Sequence, residues 1–416
     1  MFRWTERFWL GLTLAGRNLL RHKRRTLQTL FVLVIGLTSA TLLDGFITFQ
    51  LNGLEHIIVR SGTGSLQAEV SRQAYNEADR DPFPYLIPHS AKLVHDLRRS
   101  FAVDDALEAF PFESVASVGD KTLTLRILAL PTRQAQQLLS ARQLVAGKDL
   151  PQQPSGEILL GEGAARLLGL HPGDQVLIYA MTAGGGVNED TFVVSGLETS
   201  GIAAADASSA FMDLADAQKL IGTTDVPQLI VFLNRNSQAA QFQKKWTAHF
   251  PGSGAPHLVW KRWDQLSPYW QQASGSLLMV LGVARFIVLL IAIFSVAGAV
   301  TLSVLERLRE TGTVRAFGVP RRAVVAQFLA EGLLLGLVGS FVGTLIGLGS
   351  CQVLNWLGGV SVTAPGMAQP IAVLFTPNSH HFAQNLILIT VAAGLGTLFS
   401  AFWTTRVTIT RLLNAF

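Results

Sequence analysis

Four stretches of the chain, near 26–50, 277–304, 324–354 and 385–404, are almost continuously apolar, and polar residues alternate with apolar ones elsewhere. A bilayer core about 30 Å thick takes roughly 20 helical residues, so each stretch predicts a spanning helix. The stretch 52–276 has the mixed pattern of a soluble domain. Within it "SGEILLGEGAARLLGLHPGDQVLIYA" predicts a strand, a helix, a Pro-Gly-Asp turn and an alternating strand. "AGGGVNED" predicts a hairpin connection into "TFVVSGLET", and "SSAFMDLADAQKLIG" predicts a strand and then a helix with Asp213 as N-cap. "VPQLIVFLN" predicts a further strand, followed by a helix around 237–249. "EADRDPFPYLIPHS", with three prolines, predicts irregular chain. The residues 75–150 have no assigned structure. The fold class is therefore four transmembrane helices plus an α+β domain between the first and second.

Small residues punctuate the apolar runs. Gly332, Gly336, Gly339, Gly343 and Gly347 recur every three or four positions and predict one helix face bare of side chains, open to a neighbouring backbone. Ala392, Gly396 and Ser400 repeat this more weakly in the fourth run. Three ionisable groups fall inside or at the edges of the runs. Asp44 and Arg285 would lie level near the outer edge of the hydrocarbon, either as an ion pair or each reaching separately for the interface. Glu331 sits within the third run, open to a structural hydrogen bond with a neighbouring helix or to proton coupling.

Composition agrees with a membrane protein: 49% of residues are hydrophobic, 15% are charged, and the mean hydropathy is +0.36. The charge is unevenly distributed. Residues 52–276 carry a net −5 and the rest a net +10, so the basic excess lies in the membrane part and its short flanks. It gathers in Arg3, Arg7, Arg17, Arg21, Lys23, Arg24 and Arg25, in Arg307, Arg309, Arg315, Arg321 and Arg322, and in Arg406 and Arg411. The stretch 355–384 holds no Lys or Arg. The bias of Lys and Arg towards cytoplasmic loops then predicts cytoplasmic termini, a cytoplasmic 305–323 and an external domain. The basic charge marks topology, and no nucleic-acid partner is expected.

The expected organisation follows. Residues 1–25 form an interfacial helix with Trp4, Phe8, Leu12, Ala15 and Leu19 on one stripe. The first span with its stalk is 26–51, an uncleaved anchor, and 52–276 is the external domain. A stalk and second span over 277–304 lead to the cytoplasmic segment 305–323. The third span is 324–354, 355–384 is an external loop, the fourth span is 385–404, and 405–416 is a cytoplasmic tail. The single cysteine, Cys351, lies in the third span and reads as a packing residue, so the external domain has no disulfide.

Catalytic signatures are missing. The chain has no P-loop G-x-x-x-x-G-K-[ST], no H-E-x-x-H, no C-x-x-C and no G-x-S-x-G. His380 and His381 read as loop residues rather than metal ligands, and the glycines 184–186 as a turn. No catalytic residue, metal or cofactor is expected in this chain.

The densest polar knot is "LERLRETGTVRAFGVPRRAVV", with seven charged side chains and two glycines between two apolar runs. It reads as a short helix continuing from the second run, broken near Gly312 or Gly318, with Pro320 in the first turn of the next helix. Charges that only set topology would not require Glu306 and Glu310, so the segment is expected to touch something.

The knot resembles a pattern of the FtsX-like permease superfamily of ABC systems, roughly E-x-x-R-E-x-G-x-x-R-A-x-G. Glu306, Arg309, Glu310, Gly312, Arg315, Ala316 and Gly318 match it, and Glu331–Gly332 match a following E-G pair. "RNLLRHKRRTL" looks like the usual entry to the first span. "GEILLGEGAARLLGLHPGDQVLI", "FVVSGL" and "AFMDLADAQKLIG" resemble the MacB-like periplasmic core domain. The tail "WTTRVTITRLLNAF" departs from the Pro/Ala-rich ending of relatives. The resemblance implies a permease of a bacterial inner membrane, in the export or lipoprotein-release class, that pairs with a second permease chain, identical or homologous. Two ATPase subunits would bind ATP and Mg, the knot would be the coupling helix seated on them, and Arg309, Glu310 and Arg315 would make the contacts. Motion would pass to the periplasmic domain by mechanotransmission, with lipid around the spans and a periplasmic adaptor or carrier as a further partner. The alternative it leaves open is a signalling permease that activates an external partner such as a cell-wall hydrolase.

Overall fold

The structure is a computed structural model that describes residues 16–17, 21, 23–78, 80–100, 103–140, 142–201, 203–249, 258–362, 371–377 and 379–404. The stripe Trp4, Phe8, Leu12, Ala15 and Leu19 and the tail 405–416 lie outside the described residues, as do the side chains of Arg309, His380 and His381. Two compact units emerge. One takes its described residues from Met1–Leu51, Ala273–Val362 and Ile371–Phe416, and the other is built on Asn52–Gln272. The first long helix, α1 (Lys23–Ile58), holds 36 residues.

The Asn52–Gln272 unit is α+β. Its strands run β1 (Leu66–Glu69), β2 (Val103–Val118), β3 (Lys121–Leu130), β4 (Gln143–Gly147) and β5 (Glu157–Gly161). Then come β6 (Gln175–Met181), β7 (Val187–Thr199), β8 (Ser209–Asp213), β9 (Gln228–Leu233) and β10 (Val259–Arg262). Its main helices are α2 (Ser90–Ser100), α3 (Glu162–Leu168), α4 (Leu214–Ile221) and α5 (Ala239–His249). Local signals set several of these ends. Asp213 caps α4 by accepting a 2.9 Å bond from the Ala215 amide, and α3 and α4 stop at Gly169 and Gly222, both at φ +78°. The strand after the glycine turn begins at Val187, earlier than the hairpin connection expected over "AGGGVNED", because Asn188 to Asp190 join the ladder with β6.

Strand β2 joins the two halves of this unit. Val103 to Ala109 pair antiparallel with β9, and β9 continues the order β9–β1–β10. From Phe110 onward β2 pairs with β3, and Val115 to Ser117 also pair with β6. Pro111 falls beside this change of partner, where a residue without an N–H costs the ladder least. The second half closes on itself as β2–β3–β8–β5–β7–β6–β2, and β4 adds to β7. Closure removes free edges, and inward Phe112, Ile127, Ile158, Val176, Val194 and Met212 are buried. On the first half, Leu93, Val94 and Leu97 of α2 and Phe242 and Trp246 of α5 join the same core, with Phe242 edge-on to Trp260 at 5.5 Å.

The other unit is built on α1 and on the helices α6 (Pro268–Glu306, from Ala273 onward), α7 (Leu308–Ala316), α8 (Arg321–Trp356) and α9 (Ser379–Thr404). Among the described residues four helices are long and apolar enough to cross a membrane: α1, α6, α8 and α9. The region expected as a loop over 355–384 instead contains the end of α8, a hairpin of β11 (Val360–Val362) with β12 (Ile371–Val373), and the start of α9. Apolarity marks only the buried part of a helix, and the polar "SHHFAQ" continues the same backbone hydrogen bonding beyond it.

The knot also differs from its expectation. Gly312 lies inside α7 and is buried; the chain breaks at Arg307 (φ −109°, ψ 20°) and at Gly318 (φ +91°). A glycine is tolerated within a helix whose neighbours fill its face, whereas positive φ at Gly318 is a conformation that side chains disfavour. Pro320 is the N-cap of α8, with extended ψ of 145°, rather than a first-turn residue.

Candidate functional site

The glycine face of α8 is used along its full length, against two different helices. A Cβ at Gly336 would meet the Ala393 Cβ of α9 at 2.5 Å, and one at Gly332 would collide with Thr397 of α9. One turn further on the partner becomes α1. A Cβ at Gly339 would come within 2.9 Å of Leu33, at Gly343 within 3.0 Å of the Val34 Cα, and at Gly347 within 2.7 Å of the Thr41 Cβ. Thr38 uses the close approach to donate a 3.1 Å hydrogen bond to the Gly343 carbonyl. The weaker stripe of α9 faces α6: a Cβ at Gly396 would touch the Ile293 carbonyl oxygen at 2.5 Å, and the Ser400 and Thr301 hydroxyls are hydrogen-bonded at 2.5 Å.

Asp44 of α1 and Arg285 of α6 are an ion pair at 3.1 Å, with the Asp44 side chain only 3% exposed. Truncating one partner strands a buried charge, which costs about 3 kcal/mol or more. Asp44→Ala is therefore expected to lower the melting temperature of the detergent-solubilised protein clearly. The exchange Asp44→Arg with Arg285→Asp should recover part of that loss, as thermal unfolding would show.

The knot residues take distinct positions. Glu306 ends α6 and accepts a 2.9 Å bond from Arg25 of α1. Arg307, at the break, reaches Glu331 of α8 at 3.4 Å. Glu331 is thus buried inside the helix group with a cationic partner that its position in the sequence did not reveal. In α7, Glu310 is exposed in the first turn, where a carboxylate complements the helix dipole. Arg315 lies in the last turn with its Nη1 buried and without a hydrogen-bond partner among the described residues, and Ala316 is exposed at the end. Phe317, which no charge or spacing signal marks, is 86% exposed. Arg321 at the start of α8 anchors the return, donating to the Phe402 carbonyl at 2.9 Å and covering its ring at 5.1 Å.

The soluble unit holds polar features outside the sequence reading. Arg142, just before β4, pairs with Glu198 of β7 at 3.1 Å and lies over the Phe211 ring at 4.8 Å. Burial pushes the Glu198 carboxyl up to about 7, against the opposing pull of Arg142. The folded state therefore holds this proton more tightly than the unfolded chain does. The stabilisation is complete below the ordinary value of 4.5 and is lost as pH rises through about 7. Its full size is on the order of 3 kcal/mol. Thermal unfolding should show stability falling from pH 4.5 to 7, and Glu198→Gln should flatten that slope.

A cavity of about 560 Å³ is lined by Glu55, Arg235, Asn236, Arg262, Trp263 and Trp270, among others. Its polar walls are largely paired internally, Asn236 to Glu55 at 2.8 Å and Arg262 to Asp264 at 2.7 Å. Below it, Ile58, Val59, Trp263 and Trp270 share one apolar cluster with Leu107, Ile230 and Phe232. The last turns of α1 and the first turn of α6 are thereby packed into the strands β2 and β9. Among the described residues no group of three or more His, Cys, Asp or Glu could hold a metal ion. The arrangement offers packing and charged contacts.

Residues 26–249 match the family described as MacB-like periplasmic core domain, and residues 282–412 match FtsX-like permease C-terminal. The chain is similar to the macrolide export ATP-binding/permease protein MacB of Brucella abortus, 36% identical over 78 residues, which are 19% of this chain and 12% of that protein. It is also similar to the lipoprotein-releasing system transmembrane protein LolC of Xylella fastidiosa, 23% identical over 234 residues, 55% of this chain and 54% of that one. The matches thus span about an eighth and about half of the lengths of these curated relatives. The crystal structure of the periplasmic region of MacB from Actinobacillus actinomycetemcomitans aligns at 12% identity with a TM-score of 0.34, over 52% of this chain and 94% of that one.

Proposed function

We propose a function on one premise: the chain belongs to the family with a MacB-like periplasmic core domain and an FtsX-like permease C-terminal region, and is an ABC-type permease of the MacB/LolC group. The finer reading is a subunit of an ATP-driven complex in which this chain converts motion of a separate ATPase into motion of the external domain. ATP and Mg would be bound by two ATPase subunits, and a second permease chain, identical or homologous, would complete the assembly. The cargo class that the relatives' names suggest is a hydrophobic or lipid-bearing molecule handled on the outer side, with an adaptor or carrier receiving it there. Both termini and residues 305–323 would face the cytoplasm.

The observation that carries this reading is α7 with the residue that follows it. A nine-residue helix is set off by breaks at Arg307 and Gly318, exposes Glu310, and is followed by Phe317, exposed to 86%. In a cytoplasmic segment so exposed an aromatic is what a protein partner buries at the centre of an interface. The long helices supply the transmission. At 1.5 Å per residue, the 36 residues of α1 and the 39 of α6 far exceed the roughly 20 needed to cross the hydrocarbon. Helices of that length would carry a push towards the external domain, within which Trp263 and Trp270 pack in one apolar cluster with Ile58 and Val59. A nucleotide-driven change of state needs about 5.5 kcal/mol of bias to shift a population from 1:99 to 99:1, within reach of an ATPase dimer.

The test is affinity purification of the tagged chain from its native membrane with identification of what accompanies it. A P-loop ATPase in stoichiometric yield is the expected companion. Its absence from repeated preparations would remove the coupling role.

A further inference from the structure

The break between α6 and α7 has no local cause. Helices kink at Pro, at Gly or Ser pairs, or where something intrudes on the hydrogen-bond ladder. The residues from Val304 to Glu310 read V-L-E-R-L-R-E, with neither Gly nor Pro and mostly strong helix formers. Left to propensity, α6 would run on through Arg307 into α7. Instead Arg307 leaves helical geometry at φ −109° and ψ 20°, and its amide makes a tightened 3.2 Å bond back to Val304. Tertiary contacts must hold this conformation.

The two residues at the break are held from two sides. Glu306 is tied to Arg25 of α1 at 2.9 Å, and Arg307 to Glu331 of α8 at 3.4 Å. Neighbours in a helix point about 100° apart, so opposite charges at adjacent positions can reach two different helices at once. Arg25 and Glu331 also line one small cavity, where Thr26, Thr29 and Ser303 stand beside the apolar Ala299, Val300 and Leu335. The two halves differ in weight. Glu306 is half exposed, and such a pair contributes little, whereas the Arg307 and Glu331 side chains are only 12% and 5% exposed.

We propose that Arg25, Glu306, Arg307 and Glu331 form a two-sided charge clamp that imposes the break after α6 and so aims α7 at its partner, with Arg307 and Glu331 as its principal positioning residues. The aim of α7 matters only under the permease reading, on which this half of the proposal rests. The clamp itself is a property of this chain alone. It also gives Glu331 a role: a buried acid in an apolar helix holds Arg307, the residue at which the chain turns.

The experiment separates the two. Hydrogen exchange of the full-length protein in detergent would follow the amides of residues 306–312 in four forms: wild type, Arg307→Glu, Glu331→Arg and the double exchange. The expected result is altered exchange in this segment for both single changes and return towards wild type in the double form. Unaltered exchange in the singles, or a double form no closer to wild type, would overturn the clamp. If a reversal fails to insert, Glu331→Gln keeps the volume, removes the charge and should alter exchange in the same segment. With the copurified ATPase, the single changes should lower ATP hydrolysis by the complex roughly tenfold while retaining the ATPase, and the double should restore it. Wild type without any ATPase companion would overturn the permease reading and leave the exchange result standing.

Discussion

Gly343→Leu should be among the most damaging single substitutions in the membrane unit. A Cβ at this position would already lie 2.9 Å from the Leu37 Cβ, 3.0 Å from the Val34 Cα and 3.1 Å from the Val34 carbonyl oxygen. Two of those three atoms are backbone, so no rotamer change on α1 relieves the overlap. A leucine would have to push α1 and α8 apart, which also breaks the 3.1 Å bond from Thr38 to the Gly343 carbonyl. It would loosen the neighbouring contacts of Gly339 and Gly347 on the same face. Overpacking a close helix contact costs about 3 kcal/mol, and more where the backbone must move. For a unit of this size that corresponds to a fall in melting temperature on the order of 10 °C, with reduced yield from the membrane. Gly349 provides the comparison: it lies on the same helix, is exposed, and has nothing within 4 Å of its missing Cβ. Gly349→Leu should behave like wild type in the same thermal assay. Equal effects of the two substitutions would mean that helix propensity, not close approach, governs α8.

The second large effect is expected at Phe317, and it leaves the fold alone. Its ring is 86% exposed and therefore contributes almost nothing to the stability of this chain. If it is the anchor of the ATPase interface, Phe317→Asp removes a central aromatic contact worth about 2 kcal/mol or more. That is roughly a thirtyfold weakening of association. Glu310→Lys reverses an exposed charge in the first turn of α7 and should add to the loss, mainly by slowing encounter and weakening retention. Quantitative co-purification, with membrane insertion and thermal stability as controls, would read both effects. Normal recovery of the ATPase with both variants would place its docking surface elsewhere on the molecule.

Some of the molecule is written in one dimension. The four spans follow from apolar length, because a bilayer demands about 20 helical residues whatever surrounds them. The glycine period on α8 follows from the 3.6-residue turn. The cap at Asp213 and the stops at Gly169 and Gly222 are local backbone events, decided within one turn of chain. Charge asymmetry divides the sequence into a basic membrane part and an acidic domain before any fold is known. Family resemblance adds the knot, since its charged and small residues stand close together in sequence.

Other features depend on contacts between positions far apart. Arg25 and Glu306 are 281 residues apart, and Arg142 and Glu198 are 56 apart; no periodicity links either pair. The closure of β2, β3, β8, β5, β7 and β6 into a ring is likewise invisible locally, because one strand of 16 residues serves two sets of partners in turn. Of the two glycines expected to break the knot, Gly318 does so at φ +91°, whereas Gly312 is a buried helical residue and a second break falls on Arg307, a good helix former. Sequence alone determined what each segment is, since hydrogen bonding and burial within a helix or strand are short-range. Only the tertiary structure decided where the chain turns and which charges face each other, since those depend on what distant segments bring to the same place.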